Sequence, residues 1–384
     1  MYISHASLPA PARPISDGAV LVQDGRIVAI GRSAEVIPPP GVRRIDAQGL
    51  LLAPGFIDLQ FNGGYGHDFT TDPETMWRVG ERLPQYGVTG FLPTIITAPL
   101  ESYSAAQAAL RSGPPSGYRG AQPLGLHFEG PFLNPEKKGA HNPAYLRLPD
   151  PQDVAGWSVE AGVSLVTLAP ELPGALEVTR LLRSRGVAVS AGHSNATFEQ
   201  AQAGFEAGMT CGTHLFNAMP VLGHRSPGLA GALLSSPQLA VGLIADGLHL
   251  HPAVVNLAWV AKGPRGLILV TDATATLGMP PGIYTLGDLH VQVDNLSARM
   301  PDGTLAGSLL TMQAALRNLM AFTGCSLLEA LPCLTSTPAK LLGLSSKGQL
   351  APGFDADLVL LAPDGQVVMT VVAGEILYSD ASYF

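Results

Sequence analysis

Eight short apolar segments recur between residues 56 and 273, and each is followed by a longer Ala-rich or Leu-rich stretch of helical character. Strands that are apolar along their whole length are typical of parallel sheets buried on both faces. Eight alternating strand and helix units are the number that closes a (β/α)₈ barrel. The sequence therefore predicts an α/β fold of the TIM-barrel type, with strands at 56–60, 90–94, 124–129, 164–169, 187–191, 209–214, 240–245 and 267–271.

The two ends of the chain have a different pattern. Residues 18–31 contain two apolar runs around an Asp-Gly pair, which predicts a β-hairpin on a tight turn. Residues 357–372 contain a second predicted hairpin of the same kind. Because an isolated hairpin is only marginally stable in water, we expect both ends to pair into one small β-sandwich. The predicted domains are 1–53 and 346–384, which together form this β-sandwich, and 54–345, which forms the barrel.

Composition limits the compartment and the partners. Only 14% of residues are charged and the mean hydropathy is +0.24, yet Gly, Pro or a polar residue interrupts every apolar run before the ~18 residues that a membrane span needs. The first residues lack the pattern of a secretory signal, and the three cysteines are an odd number without metal-finger spacing. These features predict reduced thiols and a cytoplasmic protein. The net charge of -8, without a basic block, disfavours nucleic acid and leaves a small molecule as the expected partner.

Four of the predicted strands end at a side chain that can bind a metal or carry a proton. Glu129 ends the third strand, His193 follows the fifth, His214 ends the sixth and Asp272 follows the eighth. Active groups of such barrels lie at the C-terminal ends of the strands, so we expect these four side chains to meet. Two histidines and one carboxylate are a usual ligand set of catalytic zinc, and they leave one coordination position for water. Asp272 beside that water could act as general acid and base.

Each of these residues also has a structural interpretation. Glu129 could pair with Lys137 or Lys138, a histidine could be a hydrogen-bonded core residue, and Asp272 could cap a helix. Two histidines at the ends of adjacent strands favour the metal interpretation, since neutral imidazole is the commonest metal ligand.

Polar clusters in the loops after strands three, six and seven predict a substrate site. Arg225 lies in a loop bordered by Gly and Pro, where its guanidinium could bind a phosphate through two hydrogen bonds. A solvated loop residue is the alternative for Arg225. Neither the Gly-x-x-x-x-Gly-Lys-Ser/Thr loop nor a Gly-x-Gly-x-x-Gly motif after a strand occurs, which disfavours nucleotide-driven chemistry.

Several of these motifs together resemble one known family. They are Ala53-Pro-Gly-Phe-Ile-Asp58, His127-Phe-Glu-Gly-Pro131, Lys138-Gly-Ala-His-Asn-Pro143, Ser190-Ala-Gly-His-Ser-Asn-Ala196, His214-Leu-Phe-Asn-Ala-Met219, Asp246-Gly-Leu-His249, Thr271-Asp-Ala273 and Leu305-Ala-Gly-Ser308. Over nearly its whole length the chain resembles the N-acetylglucosamine-6-phosphate deacetylase family of the amidohydrolase superfamily. The first motif and the late Pro352–Asp357 segment are common to the superfamily, whereas Glu-Gly-Pro, Lys-Gly-x-His-Asn-Pro and His-Leu-Phe-Asn-Ala-Met are much narrower.

The resemblance implies a function and a set of site residues. The implied reaction is hydrolysis of N-acetyl-D-glucosamine 6-phosphate to D-glucosamine 6-phosphate and acetate, in amino-sugar catabolism or cell-wall sugar recycling. The implied cofactor is one divalent ion per subunit of a homodimer, first Zn²⁺, with Fe²⁺, Co²⁺ and Mn²⁺ as alternatives. The implied residues are Glu129, His193 and His214 as metal ligands, Asp272 as acid and base, His141 as oxyanion stabiliser, and Ala140, His141, Asn217, Ala218, Arg225, Asp246, His249, Leu305, Ala306 and Gly307 at the substrate, with Arg225 and His249 at its phosphate.

One departure from the superfamily concerns the number of metal ions. Many relatives have His-x-His at the end of strand one, whereas this chain has Gln60-Phe-Asn62, which favours a single metal and leaves a second, weak metal there untested. Arg225 could serve the site of a neighbouring subunit.

The alternative enzyme is another amidohydrolase, such as a cyclic amidase or a deaminase. A carboxylated-lysine site of that kind would need a lysine where this chain has Ala169-Pro-Glu171. A non-catalytic barrel that binds an amino-sugar phosphate is the other alternative, although a pure binder would not require Asp272.

Overall fold

The N-terminal segment forms five strands. The computed structural model describes residues 1–9, 15–286 and 289–383. The predicted first hairpin consists of two strands, Ile15–Gln23 and Arg26–Arg32, which pair antiparallel. Its turn holds Asp24 and Gly25 at φ 49° and 73°, a left-handed conformation that Gly adopts readily and Asp tolerates. The five strands are β1 (Tyr2–Leu8), β2 (Ile15–Gln23), β3 (Arg26–Arg32), β4 (Arg44–Asp46) and β5 (Leu51–Pro54).

The central part of the chain contains all eight predicted barrel strands. The next strands are β6 (Phe56–Phe61), β7 (Gly63–Gly64), β8 (His67–Asp68), β9 (Val88–Ile96), β10 (Gln122–Pro123), β11 (Leu126–Glu129), β12 (Val163–Leu168), β13 (Ala188–Ala191), β14 (Cys211–Gly212), β15 (Ala240–Leu243) and β16 (Leu267–Leu269). β6, β9 and β11 to β16 pair in parallel, each with the next. Loop hydrogen bonds join β16 back to β6, because Asp272 N donates to Gln60 O at 2.9 Å and Asn62 N donates to Ala273 O at 2.7 Å. The predicted (β/α)₈ fold is therefore confirmed.

Helices follow the barrel strands. They are α1 (Thr75–Gly80), α2 (Leu100–Ser112), α3 (Ala175–Ser184), α4 (Phe198–Glu206), α5 (Gly228–Ser235), α6 (Pro252–Lys262), α7 (Met312–Thr323), α8 (Leu327–Ala330) and α9 (Ser336–Leu341), and 3₁₀ helices occur at Leu83–Tyr86, Pro135–Lys137, Pro143–Tyr145 and Leu331–Leu334. The start of α4 shows how local sequence fixes an end. Thr197 Oγ1 accepts from Gln200 N while Gln200 Oε1 accepts from Thr197 N, which is a capping box.

In the described part of the chain, no single helix is both long and apolar enough to cross a membrane. Taken together, Met312–Thr323 and Leu327–Leu341 have the length and apolar composition of a span. The two segments are, however, bent by 118° at the break between them.

A small antiparallel sheet is inserted between β16 and α7, and the sequence patterns did not predict it. It consists of β17 (Gly282–Leu286), β18 (Leu289–Val293) and β19 (Ala298–Arg299). Val291, Val293, Ala298 and Ala306 form its own apolar core, and Ala140 from the loop after β11 packs against that core. The insertion therefore lies beside the C-terminal ends of the barrel strands.

The C-terminal strands join the N-terminal ones. They are β20 (Leu358–Leu361), β21 (Val367–Val372) and β22 (Glu375–Ser379), and β20 pairs with β5. The order is β22-β21-β20-β5-β1-β2-β3, with β4 beside β1, so the β-sandwich is one continuous hydrogen-bonded path. A core separate from that of the barrel, which includes Ile3, Val20, Leu358 and Val371, fills it. The expectation that both termini build one β-structure is confirmed.

Candidate metal centre and active site

Three of the predicted ligands converge at the C-terminal ends of their strands. Glu129 is the last residue of β11, and His193 and His214 each follow their strands by two residues. Glu129 Oε1 lies 3.1 Å from His193 Nε2 and 3.1 Å from His214 Nε2, and the two nitrogens are 3.0 Å apart. All three side chains are buried. The cluster could therefore hold one metal ion.

Hydrogen bonds fix which ring nitrogen faces the cluster. His193 Nδ1 is 2.9 Å from the Lys137 carbonyl oxygen and must donate to it, so the other ring nitrogen, Nε2, faces Glu129. A carbonyl that orients a histidine in this way is the usual outer partner of a metal ligand. In the described residues, Glu129 has ion pairs with histidines and none with Lys137 or Lys138. Two imidazole nitrogens and a carboxylate oxygen at these distances fit a divalent cation of the zinc type.

Asp272 lies beside this cluster and is held by two amide groups. Its Oδ1 accepts from Asn62 Nδ2 at 2.7 Å and from Gln60 Nε2 at 3.1 Å. Gln60 Nε2 also donates to Glu129 Oε1 at 2.9 Å, which links the two carboxylates. Burial, followed by the negative charge of Glu129, raises the pKa of Asp272 to about 6. A carboxyl group that titrates near neutrality is suited to proton transfer.

His141 faces the same cluster from the loop after β11. Its Nδ1 accepts from Thr97 N at 3.2 Å and lies 2.8 Å from Thr97 Oγ1, while Nε2 is 3.9 Å from Glu129 Oε2. Burial, followed by the charge of His193, lowers the pKa of His141 to about 3. The ring is therefore neutral and carries its proton on Nε2. A fixed N–H donor at this point could stabilise an oxyanion.

A cavity of about 490 Å³ opens above these groups. The predicted site residues that line it are Glu129, Ala140, His141, His193, His214, Asn217, Ala218, His249, Asp272, Leu305 and Gly307. The topology therefore brings residues from six different loops to one place. Their assignment as ligands, catalytic groups and substrate contacts stays a prediction.

Three predicted residues do not line the cavity. Asp246 lies behind His249, with Oδ2 2.6 Å from His249 Nδ1 and Oδ1 accepting from Leu248 N and His249 N. Ala306 is buried in the core of the inserted sheet. Arg225 is exposed, with Nη1 2.6 Å from Nε2 of the adjacent His224, so it is outside the cavity of its own chain.

Other residues line the cavity although the sequence patterns gave them no role in binding. Asn62 was noted only for the missing His-x-His motif, and Lys137 only as a partner for Glu129. Arg299 comes from the inserted sheet, for which no motif exists. The one available signal was the polar Gln60-Phe-Asn62 segment at the end of an otherwise apolar strand.

The end of β12 carries no lysine. Ala169 and Pro170 follow the strand, and Glu171 accepts from Asn134 Nδ2, Ser194 Oγ and Asn195 N at 2.7 to 2.8 Å. Glu171 thus ties loops together, and the position offers no carboxylated-lysine ligand.

Comparison with known proteins is consistent with this geometry. The model of the amidohydrolase family matches residues 51–377. The N-acetylglucosamine-6-phosphate deacetylase of Bos taurus is 44% identical over 351 residues, which cover 87% of this chain and 85% of that protein. The crystal structure of the Pasteurella multocida deacetylase has a TM-score of 0.92 at 34% identity and covers 99% of both chains. An aspartate-to-alanine mutant of the Mycobacterium smegmatis deacetylase in complex with N-acetyl-D-glucosamine-6-phosphate has a TM-score of 0.89 at 34% identity, with 99% of both chains covered.

Proposed function

Because the chain belongs to the amidohydrolase family and to its N-acetylglucosamine-6-phosphate deacetylases, we propose that it works in amino-sugar metabolism. It hydrolyses the acetamide of N-acetyl-D-glucosamine 6-phosphate to D-glucosamine 6-phosphate and acetate. The observation that carries the mechanism is Asp272 beside the cluster of Glu129, His193 and His214, in one cavity.

Each residue of the site has a separate role in this reaction. A divalent ion on Glu129, His193 and His214 would supply Lewis acidity and lower the pKa of a water molecule. As the water oxygen attacks the acetamide carbon, Asp272 accepts a water proton. His141 donates its Nε2–H to the carbonyl oxygen as negative charge develops there. Asp272 returns its proton to the nitrogen as the C–N bond breaks, and the products are the amine and acetic acid, which loses the second water proton to become acetate.

The metal is proposed to be Zn²⁺, one ion per subunit. Two imidazoles and one carboxylate suit zinc, and they also suit Fe²⁺, Co²⁺ and Mn²⁺. Reconstitution of the metal-free protein with each ion, followed by elemental analysis and activity, would distinguish them.

We also propose a cytoplasmic homodimer. The three cysteines are free, and Cys211 and Cys333 are buried, as is usual for thiols in a reducing compartment. Arg225 is exposed and does not line the cavity of its own chain, which supports a dimer in which it reaches the site of the partner.

The test is acetate release from phosphorylated and unphosphorylated N-acetylglucosamine, measured before metal removal, after it and after metal is added back. We expect activity that requires metal and prefers the phosphorylated sugar. Metal-independent release, or none from the phosphorylated sugar, would contradict the proposal.

A further inference from the structure

Asn62 has one hydrogen-bonding atom that the fold does not use. The residue directly follows β6, lines the cavity and is only 4% exposed. Its Nδ2 donates to Asp272 Oδ1 at 2.7 Å, whereas its buried Oδ1 has no hydrogen-bond partner among the described residues. A buried carbonyl oxygen without a donor costs free energy, so such atoms are unusual in folded proteins. At the wall of a cavity, a bound ligand can supply the missing donor.

The orientation of this amide is fixed. Asn62 N donates to Ala273 O at 2.7 Å and Asn62 O accepts from Phe69 N at 3.1 Å, so the backbone is held on both sides. Rotating the side-chain amide by 180° would place Oδ1 against Asp272 Oδ1, and two acceptors would then face each other. The free acceptor therefore stays on the side of the amide that faces away from Asp272 Oδ1, in a residue that lines the cavity.

We propose that Asn62 Oδ1 accepts the N–H of the acetamide that is cleaved. This inference rests on the proposed deacetylase reaction. The scissile nitrogen must lie next to Asp272 to receive its proton, and its own N–H loses water on entering the cavity. Asn62 Oδ1 offers that N–H an acceptor beside Asp272. The hydrogen bond orients the nitrogen so that its lone pair, which becomes available once the water oxygen has added to the carbonyl carbon, faces the carboxyl that protonates it.

The test compares the acetamide with an ester that has oxygen in place of the N–H, 2-O-acetyl-D-glucose 6-phosphate. Asn62→Ala should lower kcat/KM for the acetamide by about ten- to a hundred-fold, since a buried N–H loses its partner. The ester has no N–H to lose, so its kcat/KM should fall only by the smaller factor that loss of the Nδ2 donor to Asp272 causes. The ratio of the two rates is the measurement, and it should drop about ten-fold or more.

Gln60→Ala is the matched control. Gln60 donates to the same Asp272 oxygen at 3.1 Å but does not line the cavity. Its loss should slow both substrates by the same factor and leave the ratio unchanged. Metal content is measured for each variant, because Gln60 also contacts Glu129.

A second variant keeps the test decisive if Asn62→Ala folds poorly. Asn62→Asp retains an acceptor at the same position but loses the donor to Asp272, so both rates should fall while the ratio stays near that of the wild type. Equal losses on both substrates in Asn62→Ala would show that Asn62 acts only through Asp272, and unchanged rates would show no role; either result overturns the inference. Failure of the wild-type protein to cleave the acetamide would instead overturn the proposed function.

Discussion

At the residue scale, three of the predicted site residues share an uncommon backbone conformation. His193, His214 and Asp272 have φ of 48°, 25° and 51°. Residues other than Gly rarely occupy this left-handed region, and such residues cluster at active sites where surrounding contacts hold them. For Asp272 those contacts include the bond from its N–H to Gln60 O at 2.9 Å. The residue types were predictable from the sequence, but this turn out of each strand was not, because it depends on the neighbouring strand.

Removing one ligand should remove the metal and the activity together. Glu129→Gln and His193→Ala each take away one of three donors, so elemental analysis should show much less bound metal and acetate release should fall in parallel. His5→Ala is the control, since His5 is exposed and pairs with Asp46 in the β-structure formed by the two ends of the chain. Full metal occupancy in either ligand variant would refute the assignment.

Asp272→Asn should separate proton transfer from metal binding. The amide keeps the shape but cannot accept a proton, so kcat should fall by roughly 10²-fold or more. Metal content should remain near that of the wild type. An Asp272→Asn protein with normal kcat would show that another group carries the proton.

The pH profile gives a second measurement of Asp272. Its raised pKa of about 6 means that the basic form is lost as pH falls. In the metal-loaded wild type, the cation favours the carboxylate, so kcat/KM should decline on the acid side with a midpoint at or below pH 6. The same limb should be missing from the residual activity of Asp272→Asn.

At the element scale, the seam between β6 and β16 depends on a buried carboxyl group. Asp58 Oδ2 accepts from Thr271 Oγ1 at 2.6 Å, and Oδ1 accepts from Thr271 N at 3.3 Å and Gln60 N at 3.2 Å. These bonds connect the first and last barrel strands directly beneath Asp272. Burial raises the pKa of Asp58 to about 7 despite the hydrogen bonds from Thr271.

This raised pKa predicts a pH dependence of stability. A folded-state pKa above the unfolded one gives a contribution that is present at low pH and is lost as pH rises toward 7. Asp58→Asn carries no titrating proton, so its Tm relative to the wild type should improve between pH 5 and pH 8. Asp294→Asn is the control, because backbone donors lower the pKa of exposed Asp294 and its Tm difference should stay flat over that range. A flat difference for Asp58→Asn as well would contradict the assigned cause.

The strands also show which elements could be predicted from the sequence and which could not. Apolar runs placed all eight barrel strands, because burial on both faces leaves a strong signal. The sixth strand was predicted over 209–214, but only Cys211–Gly212 is extended, since Met209 still belongs to the turn after α4 and His214 is left-handed. The inserted sheet was missed because its buried core is only Val291, Val293, Ala298 and Ala306, so the alternation of apolar and polar residues is confined to one short segment, 289–293.

At the scale of the whole molecule, the barrel begins where two consecutive strands pair with different neighbours. β5 pairs with β20, whereas β6, only one residue later, pairs with β9. Gly55 lies between them, where a Cβ would collide with Thr89. We therefore propose the domain boundaries near 53 and 346, with both ends of the chain in one β-structure and the barrel between them.

At this scale, phosphate binding depends on whether one chain or two form the site. Within one chain, the cavity is lined by Lys137 and Arg299, while Arg225 points outside it, so phosphate recognition by Arg225 requires a second subunit. We expect Arg225→Ala to lower kcat/KM for the phosphorylated sugar by roughly ten- to a hundred-fold, because a charged hydrogen bond is lost. Activity on unphosphorylated N-acetylglucosamine should hardly change.

Mixing two impaired variants tests whether Arg225 acts across the dimer. If it does, a mixed dimer of Arg225→Ala and Asp272→Asn chains has one doubly damaged site and one intact site, and activity should recover to a fraction of the wild type. Arg299→Ala mixed with Asp272→Asn is the control, since Arg299 lines the cavity of its own chain and each site would keep one defect. Recovery with Arg225→Ala but not with Arg299→Ala, with subunit exchange verified by mass, would place a phosphate ligand on the partner. No recovery in either mixture would contradict action across the dimer, and an Arg225→Ala protein of normal kcat/KM would leave the phosphate to Lys137, His249 and Arg299 of the same chain.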